Sequence, residues 1–180
     1  GEESGRQAVL NALAAEDVSV LINNVGMGWY GYAEKMPWAT VLQMMQVNLM
    51  ALLQFTWAFL PGMKARNSGH IINLSSIAGG FPQQGVAMYS ATKAFIDSFT
   101  TSLHRELQGT AVHVSVLRPG PVQTEFFTAS NRRAANGFHM PAERLAVPVQ
   151  QVVDGLWSLI EHPRRVLYVP RWMSITPVVE

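Results

Sequence analysis

Cysteine is absent from this chain of 180 residues. Disulfides and thiolate zinc sites are therefore excluded, and the composition suits a reducing compartment, with the cytoplasm as the expected location. An excess of charge is lacking too: 13 basic and 12 acidic residues leave a net +1, without the basic footprint that nucleic-acid binding requires. The arginine pairs Arg132/Arg133 and Arg164/Arg165 are expected in solvated loops. No long apolar run is uninterrupted. Val41 to Leu60 comes nearest, yet Gln43, Gln46, Asn48 and Gln54 break it and would be costly in lipid, so it reads as a buried helix and not a membrane partner. The opening Gly1-Glu2-Glu3-Ser4-Gly5 is polar and acidic, unlike a secretory leader.

Hydrolytic signatures are also missing. Ser75-Ser76 lie in Leu-Ser-Ser-Ile-Ala-Gly-Gly and not in a Gly-x-Ser-x-Gly elbow, so Asp97 and Asp154 have no nucleophile to support. His70, His104, His113, His139 and His162 form neither His-Glu-x-x-His nor a cluster; they are expected as surface or packing residues, with no metal site.

What is present is 48% hydrophobic residues, enough for one compact domain spanning 1–180. A helical spacing over 5–15 precedes a β-rich run at 18–22 and the turn Asn23-Asn24-Val25-Gly26. Pro37 opens a helix expected to stop at Pro61-Gly62. A strand at 70–74, a loop of small residues over 75–85, a helix over 87–108 and a strand at 112–117 follow, the last halted by Arg118-Pro119-Gly120-Pro121. A helix at 148–161 and a strand at 166–169 continue the alternation, with Glu125 to Val147 between them as a long irregular insert, a candidate lid carrying Phe126, Phe127, Phe138 and Met140. Strands apolar on both faces that alternate with helices predict a doubly wound α/β domain with a parallel sheet between helical layers.

The most informative residues are Tyr89 and Lys93. At i and i+4 of one helix they share a face, and Ser76 leaves the neighbouring strand beside it. A phenol has an ordinary pKa of about 10, so it exchanges protons near neutrality only where a cation stabilises the phenolate. Lys93 can be that cation.

Asn-Asn-Val-Gly after one strand, Asn48 inside the next helix, Leu-Ser-Ser after the next strand, Tyr-x-x-x-Lys on the following helix and Pro-Gly-Pro-Val-Gln-Thr after the last occur here in an order that resembles the short-chain dehydrogenase/reductase family. The resemblance runs from about residue 5 to residue 170. It implies a Rossmann-like αβα fold and hydride transfer between NAD or NADP and an alcohol or carbonyl compound. Tyr89 would be the acid/base; Lys93 would stabilise the phenolate and bond the nicotinamide ribose; Ser76 would hold the substrate oxygen; Asn48 would help hold a water that links the lysine to solvent. Asn23, Asn24, Val25 and Gly26 would steady the strand and pass the adenosine side of the cofactor. Pro119, Gly120, Val122 and Thr124 would wrap the nicotinamide. Ser75 is expected to face the sheet.

One departure stands out. The family's strand, Thr-Gly-x-x-x-Gly-x-Gly turn and helix, whose amides cradle the pyrophosphate, have no counterpart in these residues. The reading is of an N-terminally incomplete domain, with an exposed sheet edge and weak dinucleotide binding by these residues alone. Ala78, Phe81, Met88, Phe126 and Phe127 favour a hydrophobic alcohol or ketone as substrate. The family resemblance also implies dimers or tetramers through the helices at 37–60 and 87–108, with Trp38, Leu42, Met45, Phe95 and Phe99 on the paired faces. The alternative is a dinucleotide-sensing or scaffold protein that keeps the fold without the reaction.

Overall fold

A computed structural model describes residues 2–134 and 145–178. Its four strands are β1 (Val20–Asn23), β2 (Gly69–Leu74), β3 (Val112–Pro119) and β4 (Val166–Val169); they lie side by side in chain order, and every neighbouring pair is parallel. The helices are α1 (Glu3–Ala12), α2 (Trp38–Met45), α3 (Ala51–Ala65), α4 (Ala87–Glu106), α5 (Phe126–Ala134) and α6 (Val149–Glu161).

Strand parity sorts the core into two faces. Ile71, Val112 and Val114 pack on Met63 of α3, on Leu103 of α4 and on Leu107 just past its end, while Val116 meets Leu52 and Ile96. Residues of opposite parity, Ile72, Leu74, Leu117, Leu167 and Val169, pack on Val152 and Leu159 of α6. Alternate side chains of a strand point to opposite faces, so near-continuous apolar strands need cover on both sides, and they get it. The fold is the Rossmann-like αβα arrangement that the alternation predicted. Gly155 brings α6 close: a Cβ there would stand 3.0 Å from Val169 Cγ2 and 3.2 Å from Leu117 Cδ1.

β1 is an edge strand among the described residues, with Val20 and Ile22 38% and 40% exposed. No helix among the described residues is long and apolar enough to cross a membrane.

Several expectations are corrected. The helix starting after Pro37 does not stop at Pro61-Gly62; it runs to Ala65 with Pro61 inside it. Proline forfeits one bond, to the carbonyl four residues back, and that residue, Trp57, lies on the exposed side of the helix. The same helix is interrupted by a π-turn at Gln46–Met50. The insert at 125–147 is not wholly irregular: its first part is α5, and a parallel bridge between Val122 and Val147 closes its base. Phe138 and Met140 lie outside the described residues. Arg132 lies on a helix and not in a loop, and Arg164 is half-buried, with Nη2 donating to Ser158 Oγ at 2.6 Å. After β4, Arg171–Val178 forms a 3₁₀ segment that buries Met173.

Candidate active site

A cleft of about 490 Å³ opens beyond the carboxyl ends of β1, β2 and β3, lined by Asn24 and Gly26, by Ser75 and Ser76, and by the turn after Pro119. That is where open α/β sheets hold ligands. Tyr89 and Lys93 of α4 line the same cleft, so the chemistry-bearing residues singled out in the sequence are brought to one place.

Tyr89 and Lys93 share a face of α4, with the Lys93 ammonium 5.7 Å from the Tyr89 ring centroid. Burial pushes the Tyr89 phenol up to about 12, and a hydrogen bond from Ser76 to the phenolate form opposes the shift. Burial pulls Lys93 down to about 8, with the negative charge of Asp97 holding it up. Tyr89 is thus a neutral acid near pH 7. Lys93 Nζ donates to the Leu74 carbonyl at 2.9 Å; an ammonium has three protons, so donors remain for a ligand in the cleft. Ser76 Oγ accepts from Ala78 N at 3.2 Å, which orients the hydroxyl at the strand end. Ser75 does not face the sheet as expected. It is buried, and Oγ donates to the Lys93 carbonyl of α4 at 3.1 Å, because the helix passes directly over the end of β2.

Asn48 sits in the π-turn, 1% exposed. Its Oδ1 accepts from Met27 N at 2.8 Å, and its Nδ2 donates to the Met27 carbonyl at 3.0 Å and to Thr92 Oγ1 at 3.1 Å. Both amide protons are therefore committed to fastening the 24–31 loop against α4. Gly26 belongs to the same knot, since a Cβ there would lie 3.7 Å from both Asn48 Oδ1 and Lys93 Nζ. Asn23 works one layer away. Its Nδ2 donates to Asn73 Oδ1 at 2.8 Å, and Asn73 Nδ2 donates to Thr100 Oγ1 at 2.9 Å, so one chain of amides ties β1 to β2 and to α4.

Asn24, Gly26, Pro119, Gly120, Val122 and Thr124 line the cleft; Asn23 and the 62%-exposed Val25 are not among its lining residues. Phe81, Ala78, Phe126 and Phe127 also line it, whereas Met88 packs with Met27, Trp29 and Met44 instead. Tyr30 and Met173 are among the lining residues that were not singled out from the sequence. Tyr30 stacks on Phe127 at 6.0 Å between centroids, and burial raises its pKa; its signal is the aromatic pair inside Gly26-Met-Gly-Trp-Tyr-Gly31. Met173 presses on Gly120, where any Cβ would run into its sulfur; 53 positions of chain separate the two, and no local pattern links them. A dinucleotide fits this surface: the backbone is open at Gly26, and the Lys93 ammonium has donors to spare.

Comparison with known proteins agrees. Residues 3–135 match the family model described as short chain dehydrogenase. The chain is similar to a probable NADP-dependent dehydrogenase of Haemophilus influenzae, 40% identical over 178 residues, with 95% of this chain and 66% of the relative covered. It is likewise similar to the NADP-dependent 3-hydroxy acid dehydrogenase YdfG of Salmonella typhi, 35% identical over 159 residues, covering 83% of this chain and 62% of the relative. Among solved structures, the closed form of serine dehydrogenase complexed with NADP+ is 32% identical, with a TM-score of 0.77 over 91% of this chain and 71% of that one. The chain spans 62–66% of the length of these two curated relatives. It belongs to the short-chain dehydrogenase family.

Proposed function

We propose that the chain carries the proton-transfer half of an NAD(P)-dependent oxidoreductase that interconverts a hydrophobic alcohol and its carbonyl compound. The convergence of Tyr89, Ser76 and Lys93 on one cleft supports this reading most strongly. When bound, the nicotinamide supplies or accepts the hydride. The chain's own residues do the rest. Tyr89 gives its phenolic proton to the carbonyl oxygen in reduction and takes it back in oxidation. Ser76 donates to the same oxygen and favours the charge that develops on it. Lys93 stabilises the phenolate and offers its remaining protons to the ribose. Asn48 fixes the loop that carries Gly26. Asn24, Gly26, Pro119, Gly120, Val122 and Thr124 form the cofactor wall, with Asn23 and Val25 acting through the strand and its turn. NADP is favoured over NAD by the NADP-dependent relatives.

The substrate side is apolar. Tyr30, Phe81, Val86, Phe126, Phe127 and Met173 line it, and Lys93 is the one charged side chain among the described lining residues. A hydroxy acid is the second reading, favoured by the name of the Salmonella relative; its carboxylate would call for a cation. We also read the exposed faces of α2, α3 and α4 as a contact with a second copy. Trp38 and Trp57 are 70% and 66% exposed, and Trp57 stacks on Phe99 at 5.9 Å. Light scattering showing a dimer or larger species supports that contact, and a monomer at high micromolar concentration refutes it.

The test of the reaction is hydride transfer followed by NADPH absorbance, with apolar ketones beside 3-oxo acids. The expected result is turnover of the neutral ketones, and a fall of about 10²–10⁴-fold in Tyr89→Phe with cofactor binding retained. Near-normal turnover in that variant overturns the role of Tyr89. Dinucleotide binding without turnover of either class would favour a sensing or scaffold protein.

A further inference from the structure

We propose that Asp97, backed by Arg118 and Tyr168, is a positioning residue that keeps Lys93 charged inside the protein. The inference rests on the proposed role of Lys93, but its test does not need the reaction. Helix α4 sets Tyr89, Lys93 and Asp97 at i, i+4 and i+8, in line along one face. Lys93 and Asp97 are 5% and 7% exposed. A lone ammonium at such a depth sheds its proton to escape the desolvation cost.

The row of charges alternates. Asp97 Oδ1 accepts from Arg118 Nε at 2.9 Å. The Arg118 Nη1 donates to the Tyr168 hydroxyl, and its guanidinium lies 5.3 Å from the Tyr168 ring centroid. Strand parity explains the arrangement: residue 118 of β3 follows Val112, Val114 and Val116 onto the α4 face. The second oxygen, Oδ2, is buried with no hydrogen-bond partner among the described residues. Ser75 lies beside it, with its hydroxyl donating to the Lys93 carbonyl at 3.1 Å; burial pushes the Asp97 carboxyl up, and Arg118, the Ser75 hydroxyl and Lys93 hold it down. The carboxylate is thus anchored to a cation by one oxygen, while the other stays buried beside α4.

Asp97 acts on Lys93 through that interior, since the ammonium bonds the Leu74 carbonyl. The groups around Lys93 are few. From α4 come Tyr89 and Asp97; from β2 and its end, the Leu74 carbonyl and the hydroxyls of Ser75 and Ser76; from the π-turn, the neutral amide of Asn48; from β3 and β4, Arg118 and Tyr168 beyond Asp97. The turn at Ile77–Gly79 brings no ionisable group and packs closely against α4. A Cβ on Gly79 would stand 2.5 Å from Asp97 Oδ2 and 2.8 Å from the Lys93 carbonyl carbon, so that position admits only glycine without a shift. Among the described residues, Asp97 is thereby the one anion that acts on the lysine. Without it, no carboxylate would offset the buried charges of Lys93 and Arg118.

The experiment is a ¹³Cε-lysine NMR titration of the protein without cofactor. Lys35, Lys64 and Lys93 are the three lysines of the sequence, and the first two are exposed, so the buried resonance stands apart. In Asp97→Asn the Lys93 midpoint is expected to fall by about one pH unit or more, with Lys35 and Lys64 unmoved. An unchanged midpoint overturns the proposal, even where the melting temperature drops, because a merely structural carboxylate would lower stability alone. Should Asp97→Asn fail to fold, Asp97→Asn with Arg118→Leu removes the orphaned guanidinium, and a smaller fall in the same direction is expected of it; an unchanged midpoint there overturns the proposal too. In the working enzyme the alkaline limb of kcat should move down in pH by the same interval, with KM little changed. A shifted midpoint in a protein that turns over no substrate would sink the proposed reaction and leave this inference standing.

Discussion

Two buried polar networks occupy opposite ends of the sheet, and they are built to different rules. At the amino end, His70 Nε2 bonds Ser115 Oγ at 2.8 Å, and Ser115 Oγ donates to the Arg164 carbonyl at 2.6 Å. The serine proton is committed to the carbonyl, so Nε2 must carry its own proton and donate it. At the carboxyl end, Tyr89, Ser76 and Lys93 keep donors unassigned, and the Asp97 Oδ2 acceptor is left unmet. A closed network holds strands together, as a satisfied polar group in the core should. An open one retains the capacity to bind and to move a proton. A serine beside a histidine is the less reactive of the two constellations here, which pairing of residue types alone would not reveal.

Substitutions can break this contrast. The largest effect is expected at Ser76→Ala, where turnover should fall about 10²–10³-fold with the melting temperature nearly unchanged; a loss of stability without loss of turnover would place Ser76 with the closed network. Gly79→Ala comes next. The Cβ meets Asp97 Oδ2 and the α4 backbone, and overpacking of that kind costs about 1–3 kcal/mol, readable by chemical denaturation. Ser115→Ala should strand the His70 donor at a similar or smaller cost of about 1–3 kcal/mol, and it should leave kcat alone; altered kcat would join the two ends functionally. The smallest effect is a pH slope. Burial, with the nearby charge of His113, pulls His70 from 6.5 to about 4. The unfolded chain therefore binds the proton first as pH falls. The His70 contribution to stability is full above about 6.5, declines from there to about 4, and is flat below. Unfolding curves of the protein and of His70→Gln over that window should diverge in slope; parallel curves would show that His70 titrates normally.

Much of this was legible in the sequence because it is local. Tyr89 and Lys93 need only the helical repeat to meet, and the strands declare themselves by apolar runs bounded by glycine and proline. Ser75 was not, because its orientation depends on where α4 crosses the end of β2. Arg118 reads as part of a strand stop, yet β3 continues to Pro119, and parity then delivers the guanidinium to Asp97. That pair was within reach of pattern reasoning: an aspartate four residues after a buried lysine asks for a cation. The helical character of 126–134 was masked by the expectation of a lid. Met173 over Gly120 needed the whole topology.

The π-turn at Gln46–Met50 makes the long helix a two-position dial. A π-turn holds one more residue than an α-turn, and one residue of α-helix is about 100° of rotation. Deleting Val47 would let the helix close into regular α-form and would swing α2 about 100° around the axis of α3. Met44, now fully buried against Met27 and Trp29, would turn away from that cluster, and the Met27 loop would lose its floor. A single extra residue thus sets the rotation at which the outer half of the helix meets the cleft.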